Sequence, residues 1–114
     1  MKTIEIDVAR DFSDVPSGRF IEDGAFNGTT FRQKHLVPAL RHYDRVIVAI
    51  DNTEGFGSSF LEEAFGGLIR HEAFRKSDLD GKLEIRSEQP RTGRYKRKIE
   101  QYIAKAERAI GAAK

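Results

Sequence analysis

The chain contains no cysteine, and that absence removes disulfides, thiolate metal sites and thiol nucleophiles together. Tryptophan is missing as well, methionine occurs once and proline three times. No apolar run approaches the roughly 18 residues that a membrane span needs, and the mean hydropathy is −0.56. The opening residues, Met1-Lys2-Thr3-Ile4-Glu5-Ile6-Asp7, carry acid where an export signal would be apolar. No membrane partner is expected, and the expected location is the cytoplasm. A dominant charge is lacking too: 20 basic residues face 18 acidic ones for a net of +2, which excludes a polycation.

What is present suits one α/β domain spanning residues 1–114. Hydrophobic residues make up 39% of the chain and charged residues 33%, and eight phenylalanines supply bulk for a core. The charges are unevenly placed. Between Asp51 and Glu63 every charged residue is acidic, whereas from Arg86 to Lys98 six are basic and one is acidic. Such asymmetry can orient a partner.

The pattern of apolar residues outlines the elements. Ile4, Ile6 and Val8 alternate with Glu5 and Asp7 as in a half-buried strand, and Arg19–Glu22 reads as a second short strand between Gly18 and Asp23-Gly24. Thr30 and Gln33 are spaced as a capping box for a helix carrying Phe31, His35, Leu36, Val37, Leu40 and Tyr43, with a kink or a fresh start at Pro38. Val46-Ile47-Val48-Ala49-Ile50 is apolar throughout, as in a central strand covered by helices. After the loop at 51–57, Ser59 and Glu62 form a second capping box. That helix presents Phe60, Leu61, Ala64, Phe65, Leu68 and Ile69 on one face. Gly66-Gly67 within it signals close packing of the helix backbone against the sheet, or flexibility, at a cost of about 1 kcal/mol each. Leu83, Ile85 and Ser87 alternate as a further strand. A basic amphipathic helix follows over about 93–110, with Ile99, Tyr102, Ile103, Ala106 and Ile110 at helical spacing. The expected fold is an α/β sandwich with a mixed sheet of about four strands and helices packed on it.

The string Ser58-Ser59-Phe60-Leu61-Glu62-Glu63-Ala64-Phe65-Gly66-Gly67-Leu68, after a hydrophobic strand ending at Asp51, resembles the STAS-like domain family of unknown function. Gly18-Arg19, Asp23-Gly24, Asn27-Gly28, Phe31-Arg32 and Leu36-Val37-Pro38-Ala39-Leu40 fit the same pattern. The resemblance implies kinship with STAS domains, the anti-sigma-factor antagonists. In these, a partner kinase phosphorylates a serine at a helix N-terminus and so switches partner binding. The corresponding positions are Ser58 and Ser59, flanked here by Gly57 and Phe60.

Each motif also has a plainer reading. Ser59 could simply cap the helix, for about 1 kcal/mol, which makes Ser58 the better candidate for modification. Asp51, Glu54, Glu62 and Glu63 are oxygen ligands of the kind magnesium prefers. Glu62 and Glu63, however, diverge by about 100° on a helix, and no metal site is expected. His35, His42 and His71 lack companions at ligand spacing. No nucleophilic triad, phosphate loop or dinucleotide fingerprint occurs, so neither catalysis nor a cofactor is expected.

The expected function is a regulatory protein-interaction module, switched by phosphorylation at Ser58 or Ser59. Its contact residues would be Phe56, Gly57, Phe60, Glu62 and Glu63, and its partner a kinase or regulatory ATPase. The alternative is a nucleic-acid-associated accessory protein that binds through Arg91, Arg94, Lys96, Arg97 and Lys98, with Tyr95 interleaved. A third possibility uses Asp51 and Glu54 as metal ligands of an enzyme.

Overall fold

Ile4, Ile6, Val46, Val48, Leu83 and Ile85 share one face of a three-stranded sheet. The structure, a computed structural model, describes residues 1–112; the last two residues of the expected 1–114 domain lie outside the described residues. The strands are β1 (Thr3–Asp7), β2 (Arg45–Ala49) and β3 (Leu83–Arg86), in the order β1-β2-β3 with both pairings parallel. Ile4 stands beside Val46 and Leu83, and Ile6 beside Val48 and Ile85.

Both crossovers step the same way across the sheet, so right-handed connections put their helices on one face. The opposite face carries Glu5, Ile47 and Glu84 in a single row. There Arg86 bonds Glu5 at 2.6 Å and Arg45 bonds Glu84. Ile47 lies between the two paired glutamates and is only 8% exposed. That explains an apolar central strand in a sheet with helices on one side only.

The mixed, four-stranded sheet expected from the sequence is corrected to three parallel strands. Residues 19–22 form no strand, because the Asp23 carboxylate accepts the N–H groups of Arg19 and Phe20 at 3.0 and 2.9 Å. This curls Ile21–Asp23 into a 3₁₀ turn. Gly18 and Gly24 flank it at φ +92° and +137°, values that only glycine adopts without strain.

Val8 follows β1 directly and opens a single helical turn, α1 (Val8–Asp11). The first crossover helix covers residues 28–42 as α2 (Gly28–Phe31), a π-helical turn (Arg32–Leu36) and α3 (Val37–His42). Its cap is not Thr30 but Asn27, whose Oδ1 accepts the Thr30 N–H at 2.8 Å. The chain passes through Pro38 without breaking. The preceding wide turn, in which the Val37 N–H reaches Arg32 O, absorbs the register change that proline imposes.

The second crossover helix covers residues 58–71 as α4 (Ser58–Leu61), another π turn (Glu62–Gly66) and α5 (Gly67–His71). After α6 (Lys76–Leu79) and β3, the chain ends in α7 (Gly93–Ala112), slightly longer than expected. Ile99, Ile103 and Ala106 of α7 are buried in the same core as Phe31, Phe60, Phe65 and Leu68.

Candidate functional site

The loop after β2 is held rigidly. Asp51 accepts the N–H groups of Glu88 at 2.8 Å and Gln89 at 3.0 Å, and the Thr92 hydroxyl at 2.6 Å. These donors outweigh partial burial and keep the Asp51 carboxyl below its usual range. Arg91 donates to the carbonyls of Thr53, at 2.9 Å, and Asp51. The carboxylate proposed for a metal is therefore a clamp between the 51–53 loop and the start of α7. Arg91, expected to contact nucleic acid, is the other jaw of that clamp. On the opposite side, the Glu54 N–H donates to Asp14 O at 2.7 Å and the Gly57 N–H to Pro16 O at 3.3 Å.

The clamp sets the start of α4. Gly57 is the N-cap, and no side chain caps the helix, so Ser59 is not the expected cap. Ser58 and Ser59 are both exposed. Neither hydroxyl has a hydrogen-bond partner within the chain among the described residues. Both line an open cleft of about 680 Å³ with Ser17, Gly18, Arg19 and Phe20. Ser58 also faces a second cleft, which it shares with Phe56, Arg94, Tyr95 and Lys98.

The contact residues expected nearby behave differently. Phe60 is fully buried and packs against Phe31 at 5.7 Å between ring centroids. Phe56 is half-buried, 5.9 Å from Phe60 and 5.2 Å, edge to face, from Tyr95. A partner could reach Phe60 only by opening the core, so the expectation that Phe56 and Phe60 are offered together is corrected. The exposed apolar side chains lie elsewhere, in the loop before α2: Val15, Phe20, Ile21 and Phe26, with Ile21 at 67% exposure. The sequence reading missed them because it assigned Phe20 and Ile21 to a strand.

One turn into the helix, Glu62 and Glu63 do not diverge as expected: both accept from the same nitrogen of the Arg19 guanidinium, and neither is a free surface charge. Glu62 bonds Arg19 and Arg70. Glu63 is 3% exposed, accepts from Arg32 at 2.8 Å and from Arg19 at 3.2 Å. Arg32, itself buried, also donates to Glu63 O at 2.6 Å and to Glu72 at 3.0 Å. Burial pushes both Glu62 and Glu63 upward, but the arginines prevail and hold the two carboxyls below the usual range. Each π turn begins at a member of this network, Arg32 in one and Glu62 in the other.

The glycines are where the helices touch. A Cβ on Gly28 would lie 2.7 Å from Phe60 O, and one on Gly67 would lie 2.9 Å from Arg32 Cζ. Gly67 is closely packed, but against Arg32 of the neighbouring helix rather than against the sheet as expected, and Gly66 lies beside Glu62, Arg70 and Tyr102 O.

His35 packs between Phe12 and Phe31, and burial lowers its pKa. His42 and His71 are exposed. Among the described residues no three His, Asp or Glu side chains converge as a metal-binding set, and no helix is long and apolar enough to cross a membrane.

On α7, Arg94 lies over the Tyr95 ring, 4.7 Å from its centroid, and Arg97 and Lys98 are exposed. Lys96 departs from this group: it is half-buried and adds, after Arg45 and Arg86, to the positive field that lowers the Glu84 carboxyl.

A family model described as a STAS-like domain of unknown function (DUF4325) matches residues 27–91, more than half of the chain. The match runs from the Asn27 cap to the Arg91 clamp and contains both π turns. No curated protein and no solved structure matches the chain.

Proposed function

We propose a function for a chain that belongs to the family of STAS-like domains of unknown function: it is a regulatory protein-docking module whose contact face joins the 15–26 loop to the start of α4. The observation that carries this reading is that Phe20 shares one cleft with Ser58 and Ser59. Phe20 and Ile21 are the apolar anchors. Exposed aromatic and aliphatic side chains of this kind dominate docking energy once a partner desolvates them.

Ser58 is the switch. It is exposed, carries no structural duty, and stands at an uncapped helix start whose amides and dipole favour a phosphate. Arg94 and Lys98 across the second cleft add charge of the right sign. A phosphate there adds about −1.5 to −2 charges beside the anchors and changes which partner surfaces they accept. The activity is binding rather than catalysis, and the partner's chemistry is that of a kinase or regulatory ATPase presenting an apolar pocket.

The test is quantitative recovery of partners by the tagged chain from its own cells, compared with Phe20→Ser/Ile21→Ser. Both residues are exposed, so the variant should fold. A stoichiometric protein retained by the wild type and lost at least tenfold by the variant supports the docking face. Equal recovery by both overturns it.

A further inference from the structure

The cations of α7 are sorted by the fold in a way that the 91–98 segment alone does not reveal. At 100° per residue, Arg94, Arg97, Lys98, Gln101, Lys105 and Arg108 fall within about 60° of one line along the helix. All six are exposed. No carboxylate lies on this face. The acids of α7 are turned away: Glu107 bonds Arg75 at 2.9 Å, and Glu100 borders the groove beside Leu79 and Ile85. Among the described residues, none of the five cations forms an ion pair within the chain; Arg94 donates to the Tyr95 hydroxyl at 2.8 Å. From Arg94 to Arg108 the stripe runs about 21 Å at 1.5 Å per residue. Arg91 and Lys96 drop out of the basic segment, and Lys105 and Arg108 join it.

We propose that this stripe is a second interaction surface, which adjoins the docking face at Arg94 and Lys98 and extends from there to Arg108, and that it binds the phosphate backbone of a nucleic acid duplex. Charge complementarity commits the choice. A protein interface needs an apolar core, and lysine is depleted in it, yet the stripe presents only Gln101 and the small Ala109 between its charges. A membrane surface is usually gripped by a helix that also inserts apolar residues, and here Ile99, Ile103 and Ala106 are sealed in the core. Duplex DNA, in contrast, offers about a dozen charges along 21 Å of axis and rewards cations through counterion release. The five charged heads spread along this exposed face suit the phosphate rows, and contact is with phosphates. Affinity is then independent of base sequence.

The experiment measures binding of the full chain to fluorescent 20-base-pair duplexes of two unrelated sequences, from about 20 to 200 mM salt. Three to four phosphate contacts predict log K falling against log salt with a slope of about −3 to −4, equal for both sequences. Lys105→Gln and Arg108→Gln each reduce the slope by about one. Arg94→Gln/Lys98→Gln/Lys105→Gln/Arg108→Gln weakens binding at least tenfold. A control removing four cations elsewhere, at Lys2, Lys34, Arg41 and Lys82, weakens it far less. Two results would overturn the proposal: equal losses in both quadruple variants, or no duplex binding at low salt while polyglutamate or phosphatidylserine vesicles bind. The second result would assign the stripe to an acidic protein or a membrane. All of these residues except Lys82 are exposed, and the circular dichroism melt of each variant verifies its fold.

Discussion

The Arg32 guanidinium occupies the space that a side chain on Gly67 would need, and from there it holds the buried Glu63 at 2.8 Å. Two crossover helices thereby share one charge, and each contributes a π turn at that point.

Gly67→Ala separates packing from propensity by sign. If only helix propensity mattered, alanine would stabilise by about 1 kcal/mol. With Arg32 in the way, overpacking costs about 1–3 kcal/mol instead. Urea denaturation reads the difference directly.

Removing one member of the buried pair should cost more than removing both. Arg32→Met or Glu63→Met each strips a buried charge of its main partner, leaving Glu63 to Arg19 or Arg32 to Glu72, at a cost of up to about 3–5 kcal/mol. The double variant, with two apolar side chains of similar length, recovers a large share of that loss. Denaturant midpoints of the four proteins close the cycle.

Acid should weaken the fold through the same network. Glu62 and Glu63 have folded pKa values below the usual one, so their stabilisation is fully present above the unfolded value of about 4.3. It is lost as pH falls through the lower folded values. Glu62→Gln, at the more accessible carboxylate, flattens the pH dependence of the melting temperature below about pH 5 and leaves the neutral-pH slope unchanged.

The caps give a paired contrast. Asn27→Ala removes a bond to the Thr30 N–H and costs about 1 kcal/mol. Ser59→Ala removes no bond and stays within about 0.5 kcal/mol of wild type. A loss at Ser59 as large as that at Asn27 would contradict an uncapped α4.

Much of the scaffold was legible in local pattern. Alternation at Ile4–Val8 and Leu83–Ser87 and the apolar run at 46–50 mark three strands, and the 58–68 string marks the family. The details that failed were set by distant or competing partners. Residues 19–22 read as a strand until the Asp23 carboxylate takes two of their N–H groups. Ser59 and Glu62 match a capping box, but Arg19 and Arg70 claim Glu62. Apart from Glu62–Arg70, the charge network joins residues 31 to 44 positions apart, beyond the reach of any local spacing. One signal did exist. Glu63 sits three residues after Phe60 and four before Gly67, on the apolar face, and a carboxylate there requires a buried cation. The basic stripe was half visible, because Lys105 and Arg108 lie outside the dense 91–98 segment and join it only on the folded helix face.

The measurement closest to the central claim is the affinity of the captured protein partner for two forms of the chain, one unmodified and one carrying phosphoserine at position 58. A docking face switched at Ser58 predicts a change of at least tenfold between them, with Phe20→Ser weakening the tighter form. Equal affinities for the two forms, with Phe20→Ser without effect, would contradict both the switch and the face.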